Sequence, residues 1–189
     1  MLPEDKWQPK VLFSARLAFL LATPLRRLFT NRAKVLSWAR IRVGDHVLEL
    51  GPGPGFFTGH LAKKVAPGLV YALDVQTGMI AKAKMRLEPE GLANVRFAVG
   101  DAECLPLNPG AVDKVFAYQV LEEVADLNSA ISEIKRVLRP KGTLAIIQYW
   151  FDFTPTMRDA LKAIAAAHGL ILQEESSTRL SWKAIYERD

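Results

Sequence analysis

"VLELGPGPGFFT", residues 47–58, sets three glycines and two prolines directly behind four residues that read as a buried strand. Glycine has no Cβ, so such a run bends the chain sharply and lets a ligand approach the peptide groups themselves. In an open parallel sheet, ligands bind beyond the carboxyl ends of the strands, where the first loop meets the first helix. A turn this bare in that place predicts a site for a nucleotide-like ligand. The dinucleotide fingerprint G-x-G-x-x-G fails, because the glycines fall at Gly51, Gly53 and Gly55 and the last position of that pattern is Phe56. What stands is E-x-G-x-G-x-G, with Glu49 as the acid.

From Val43 onward, short β-rich runs alternate with helical patterns, the order that builds a parallel sheet from strand-helix-strand units. Strands are predicted at 46–50, 69–74, 95–100, 113–119 and 143–150, with helices at 57–66, 77–88 and 127–138. Their continuous apolar character predicts a sheet covered on both faces. A helical pattern at 154–170 precedes "LILQEESS" (170–177) and "SWKAIYERD" (181–189). The connection between these two runs is too short for a crossover helix, which makes them antiparallel.

The 189 residues suffice for one domain with a full core. Half are hydrophobic and 24% charged, the balance of a soluble globular protein rather than a disordered or fibrous one. Charge is uneven. Residues 1–42 carry nine Lys/Arg against two acidic residues, net +7, which leaves −2 of the total +5 for the rest. This segment reads as two helices, 10–22 and 31–40, with Pro24 between them, and forms an appendage to a domain at 43–189. Its basic residues suit phosphate groups of lipid, nucleic acid or a small anion, and equally a solvated helix face. The apolar run 11–22 is interrupted by Arg16 and falls short of the ~20 residues that cross a bilayer. "MLPEDKW" is acidic where a secretory leader is basic, and the single cysteine, Cys104, closes no internal disulfide, so a cytoplasmic location is expected.

Further segments carry a family resemblance. Asp74 ends the second strand 19 residues beyond Gly55, "LDVQTGMIAKAK" (73–84) follows with Val75 and Met79, "GDAECLPL" (100–107) holds Asp101 and Ala102, and "RVLRPKG" (136–142) leads into the fifth strand. Together with the glycine loop, these resemble the ordered motifs of the class I S-adenosylmethionine-dependent methyltransferases, over about residues 43–150. The block from "GDAECLPL" to "RVLRPKG" is most similar to the ubiquinone/menaquinone-biosynthesis type, methyltransferase type 11, and its small-molecule relatives. The resemblance implies an α/β fold with a Rossmann-like doubly wound sheet, mostly parallel with an antiparallel last strand, plus the N-terminal helical appendage as a lid. It implies S-adenosylmethionine as cofactor, with Glu49 near its ammonium, Gly51, Gly53 and Gly55 against its backbone, and Asp74 on the ribose hydroxyls. Val75, Met79, Asp101, Ala102 and Tyr118 complete the implied cofactor set, Asp101 and Ala102 at the adenine.

The acceptor is then a small or lipid-like molecule. A methyl displacement from a sulfonium needs donor and nucleophile held in line, and a base only where the acceptor must lose a proton. Candidates for that role are Tyr118, Glu122 and Glu123, the two acids reading more readily as surface carboxylates opening a helix. Tyr149 and Asp152, in the "YWFDF" cluster (149–153), are substrate candidates, with core packing of Trp150 and Phe153 the alternative. Cys104 is expected to be a small buried thiol. No metal is expected: His46, His60 and His168 show no ligand pairing. The loop is also similar to that of the ribosomal RNA adenine dimethylases. Their Pro-Pro-Tyr-type motif after the fourth strand is absent from "FAYQVLEE", which places RNA, and nucleic acid generally, behind a small acceptor. Two further readings stay open: a cofactor-binding protein without turnover, and peripheral membrane contact through the N-terminal segment. The oligomeric state is not legible.

Overall fold

Val47–Leu50 (β1) is buried at every position, which fits a strand covered on both faces. In the computed structural model, which describes residues 30–149 and 154–189, this strand lies in the first of two compact units, residues 30–101 and 102–189. The expectations for residues 1–29, for Trp150 and Phe153, and for Asp152 fall outside the described residues.

In residues 30–101, a short helix Arg32–Trp38 (α1) is started by Asn31, whose side chain accepts the Lys34 N–H at 3.0 Å and so satisfies one of the first-turn donors. Leu36, Ala39 and Ile41 are buried behind it. β1 is followed by helix Thr58–Val65 (α2), strand Val70–Asp74 (β2), helix Thr77–Leu87 (α3), a 3₁₀ turn Glu88–Glu90 and strand Val95–Val99 (β3). β2 pairs in parallel with β1 and with β3. Every residue of β3 is half-buried or exposed, against the expectation of full cover. The reason is position: β3 is an edge strand, and the Arg96 guanidinium donates to the Ala93 and Val95 carbonyls (2.8 and 3.2 Å), which blunts the edge.

Residues 102–189 contain strand Val112–Tyr118 (β4), a 3₁₀ turn Leu121–Glu123, helix Leu127–Val137 (α4), strand Leu138–Tyr149 (β5), helix Pro155–Ala167 (α5), and strands Leu170–Ser177 (β6) and Ser181–Arg188 (β7). α4 buries Leu127, Ala130, Ile131, Ile134 and Val137, the three-and-four spacing of an amphipathic helix. β4 and β5 are parallel, whereas β7 runs antiparallel to both β5 and β6, as the short 178–180 connection requires. The sheet order is β3-β2-β1-β4-β5-β7-β6, a mostly parallel, Rossmann-like arrangement. β6, at the other edge, is largely exposed beyond Leu170.

β5 begins at Leu138, not at 143. Val112 pairs with Leu138 and Lys114 with Thr143, so a single residue of β4 faces the four-residue excursion 139–142. Arg139 closes it on Asp113 (Nη1 to Oδ1, 2.6 Å). Lys141 is left-handed (φ 64°), and a Cβ on Gly142 would meet the Arg139 carbonyl oxygen at 2.8 Å and that of Asp113 at 3.0 Å. Both obstacles are backbone, so Gly142→Ala is expected to cost about 2 kcal/mol. Equilibrium urea unfolding measures it, and an unchanged midpoint contradicts the clash.

Candidate functional site

The glycine loop turns through three left-handed residues, Gly51 (φ 62°), Gly53 (φ 53°) and Gly55 (φ 78°). The Gly51 N–H continues the β1–β2 pairing by donating to Leu73 O at 2.9 Å. Asp74, at the carboxyl end of β2, then ties the loop down. Its Oδ2 accepts the Gly53 N–H (3.1 Å) and its Oδ1 the Gln76 N–H (2.9 Å). Burial holds the Asp74 carboxyl above the usual range, and these two N–H groups work against that shift. The glycines differ in purpose. A Cβ on Gly55 would touch Ala83 and Leu87 of α3 at 3.3–3.4 Å, so that glycine lets loop and helix pack; a Cβ on Gly53 would meet nothing within 4 Å.

Glu49, third residue of β1, is 3% exposed, and its Oε2 has no hydrogen-bond partner among the described residues. Burial pushes its carboxyl up to about 8, opposed by the neighbouring Thr58 hydroxyl and reinforced by the negative charge of Asp74. Neither acid makes a salt bridge among the described residues. Two buried carboxyls without a cationic partner among the described residues suit a ligand that brings its own positive charge. The loop is held on its other side by two arginines: Arg32 Nη1 donates to Phe56 O (3.2 Å) and Arg86 Nη1 to Pro54 O (3.3 Å).

The structure thus brings Glu49, Gly51, Gly53, Gly55 and Asp74 together. Val75, next in chain, is an apolar side chain 46% exposed. Met79 is 3% exposed and lies with Ile80, Ala83 and Leu87 on the buried face of α3. Asp101 is exposed, and Ala102, in the other unit, is half-buried. Within residues 102–189, Tyr118 and Tyr149 meet at the carboxyl ends of β4 and β5, hydroxyl to hydroxyl at 3.0 Å with the rings edge to face. Glu122 is 4% exposed and not a surface carboxylate, because its 3₁₀ turn folds back into the core beside the buried Leu121; Glu123 is half-buried. Cys104 is exposed and not a buried thiol, since it sits in the irregular segment before β4 rather than on a strand or helix face. His168 caps α5, its Nε2 2.8 Å from Asn128 Oδ1.

Sequence reading missed Gln148. It is wholly buried on β5, and neither its Oε1 nor its Nε2 has a hydrogen-bond partner among the described residues. A polar residue directly after the apolar run 144–147, one place before the strand ends, was the available signal. The two arginines carried none, because their carbonyl partners lie 24 and 32 residues away.

A mostly parallel sheet, a bare first turn and an acid ending the second strand define a nucleoside-binding α/β domain. The chain belongs to the methyltransferase-domain family, which matches residues 48–146. It is 32% identical over 132 residues to the demethylmenaquinone methyltransferase of Lactococcus lactis, covering 69% of this chain and 52% of that protein. It is 36% identical over 118 residues to the malonyl-[acyl-carrier protein] O-methyltransferase of Methylococcus capsulatus, covering 62% and 42%. The chain therefore spans about half the length of these curated relatives. A SAM-dependent methyltransferase from Aquifex aeolicus superimposes with a TM-score of 0.85 at 26% identity, over 94% of this chain and 100% of that one. Family and fold together make S-adenosylmethionine the cofactor of this domain.

Proposed function

We propose that the protein transfers a methyl group from S-adenosylmethionine to a small or lipid-like organic acceptor. The observation that carries this reading is the pair of buried acids, Glu49 and Asp74, set around a glycine, Gly53, whose missing side chain leaves open space. The residues fit the cofactor. Bound there, S-adenosylmethionine supplies a methyl group on a positively charged sulfur that departs as a neutral thioether. Each Asp74 oxygen accepts one backbone N–H and keeps a lone pair for a ribose hydroxyl. Glu49 offers an unsatisfied carboxyl oxygen to an ammonium group. Exposed Val75 is an apolar surface for the adenine ring.

Within residues 102–189, the carboxyl ends of β4 and β5 carry the Tyr118–Tyr149 hydroxyl pair and the Gln148 amide, which has no hydrogen-bond partner among the described residues. Those groups suit an oxygen-bearing organic molecule, and the named activities of the relatives, on demethylmenaquinone and on malonyl-[acyl-carrier protein], point the same way. No helix among the described residues is long and apolar enough to cross a membrane, and contact of the N-terminal segment with a membrane surface rests on residues outside them.

The test is direct. S-adenosylhomocysteine at 100 times its Kd is expected to stabilise the fold by about 2.7 kcal/mol, a rise of roughly 5–10 °C in Tm for a chain of this size. Methyl-labelled S-adenosylmethionine then traces the acceptor in small-molecule and lipid extracts. A flat thermal profile at millimolar ligand sinks the reading; bound cofactor with no labelled product leaves a binding protein without turnover.

A further inference from the structure

Three left-handed glycines give the 51–57 loop little stiffness of its own, since glycine loses more backbone freedom on ordering than any other residue. A site that must meet a ligand with its backbone needs that loop fixed beforehand. Asp74 fixes it at one point, the Gly53 N–H. The carbonyls of Pro54 and Phe56 are fixed by guanidinium groups from two different helices. Arg32, in the first turn of α1, reaches Phe56 O, and its guanidinium carbon stands 5.1 Å from the centroid of the Phe56 ring, so one side chain holds that residue by a hydrogen bond and by a cation–π contact. Arg86, in the last turn of α3, reaches Pro54 O. His60, on α2, is held below the usual imidazole range by burial and then by the charges of Arg32, Lys63 and Arg86, with Glu90 opposing. Both guanidiniums therefore lie close around one helix start.

A trans peptide sets its C=O and N–H on opposite sides, so a carbonyl pinned by an arginine fixes the direction of the next residue's N–H. For Pro54 that N–H belongs to Gly55, which closes the turn on Pro52 O at 3.0 Å. For Phe56 it belongs to Phe57, the residue that starts α2. Neither arginine stands in the glycine motif, and Arg32 lies outside the family-matched residues 48–146.

We propose that Arg32 and Arg86 are positioning residues that clamp the glycine loop in its binding form, making α1 a working part of the cofactor site. This rests on the cofactor reading above. The clamp touches no reacting atom. It removes part of the ordering cost that the ligand would otherwise meet, so its loss weakens binding more than it weakens the fold.

The experiment uses the full chain, ¹⁵N-labelled, with S-adenosylhomocysteine as probe. Arg32→Met and Arg86→Met keep most of the side-chain stem and remove the guanidinium. Each is expected to raise Kd about fivefold, and the pair about 25-fold, as for loss of a charge-assisted hydrogen bond. The ligand-free Tm falls by no more than about 3 °C for each. The Gly53 and Gly55 amide signals shift or broaden in the ligand-free variants. Arg32→Lys, which keeps a cationic donor, restores part of the affinity. Affinities within twofold of wild type in both Met variants overturn the clamp, as does a loss of affinity with the two glycine signals unmoved. If the wild type itself fails to bind the probe, the cofactor reading falls, and the glycine signals of the ligand-free variants alone decide whether the arginines order the loop.

Discussion

Glu49→Gln is expected to make the ligand-free protein more stable at pH 8 by about 4 kcal/mol while changing it by under about 1 kcal/mol near pH 5. The folded protein holds a carboxyl whose proton leaves only near pH 8, whereas the unfolded chain releases it near the ordinary 4.5. Burial of the neutral acid thus contributes in full below about pH 4.5. As pH rises, the unfolded state ionises first and gains, so stability falls by about 1.4 kcal/mol per pH unit and levels off above the folded value. Glutamine keeps the shape and has no proton to lose. Asp74, also raised, titrates in both proteins and cancels in the comparison while Glu49 is protonated; once Glu49 ionises, its repulsion of Asp74 belongs to the same loss of stability. Urea unfolding of wild type and variant at three pH values gives the answer: parallel curves mean that Glu49 ionises normally. The same variant should lose affinity for S-adenosylmethionine, because a neutral amide replaces the carboxyl proposed to meet its ammonium. Stability gained where affinity is lost is the pattern of a site kept at a cost to the fold.

The parts of this site that the sequence disclosed are those whose geometry is local. Gly51, Gly53 and Gly55 announced a turn because left-handed backbone almost demands glycine, and Asp74 was legible because a strand end places it beside that turn in any such sheet. The antiparallel β6–β7 pair was forced by a three-residue connection. What stayed hidden depends on distant packing. Gly59 reads as an ordinary helix residue, yet a Cβ there would lie 2.9 Å from Leu87 Cδ2 of α3. The burial of Glu122 and the exposure of Cys104 follow from how turns fold back, and the lack of a partner for the Gln148 amide among the described residues follows from what packs over β5, none of which residue type alone states. By its sequence the stretch 139–142 only leads into a strand beginning at 143, and pairing on both of its sides shows it to be an interruption within β5.

Two alanines in one loop should separate ligand space from packing. Gly53→Ala pays the left-handed strain of an L residue, about 1–2 kcal/mol, and meets no atom within 4 Å. Its methyl group enters the space assigned to the cofactor, and affinity for S-adenosylhomocysteine is expected to fall about 100-fold, as a 2–3 kcal/mol overpacking penalty implies. Gly55→Ala carries the same strain and adds a contact at 3.3 Å with the Ala83 Cβ and 3.4 Å with its Cα, which a helix backbone yields to only by shifting α3. Its stability loss should exceed that of Gly53→Ala by about 1 kcal/mol or more, with a smaller effect on affinity once the folded fraction is accounted for. Calorimetric titration and urea unfolding of both variants resolve the two axes independently. Equal losses of affinity would mean that the open side of Gly53 is solvent and not ligand space, and the cofactor would then have to approach the loop from another direction.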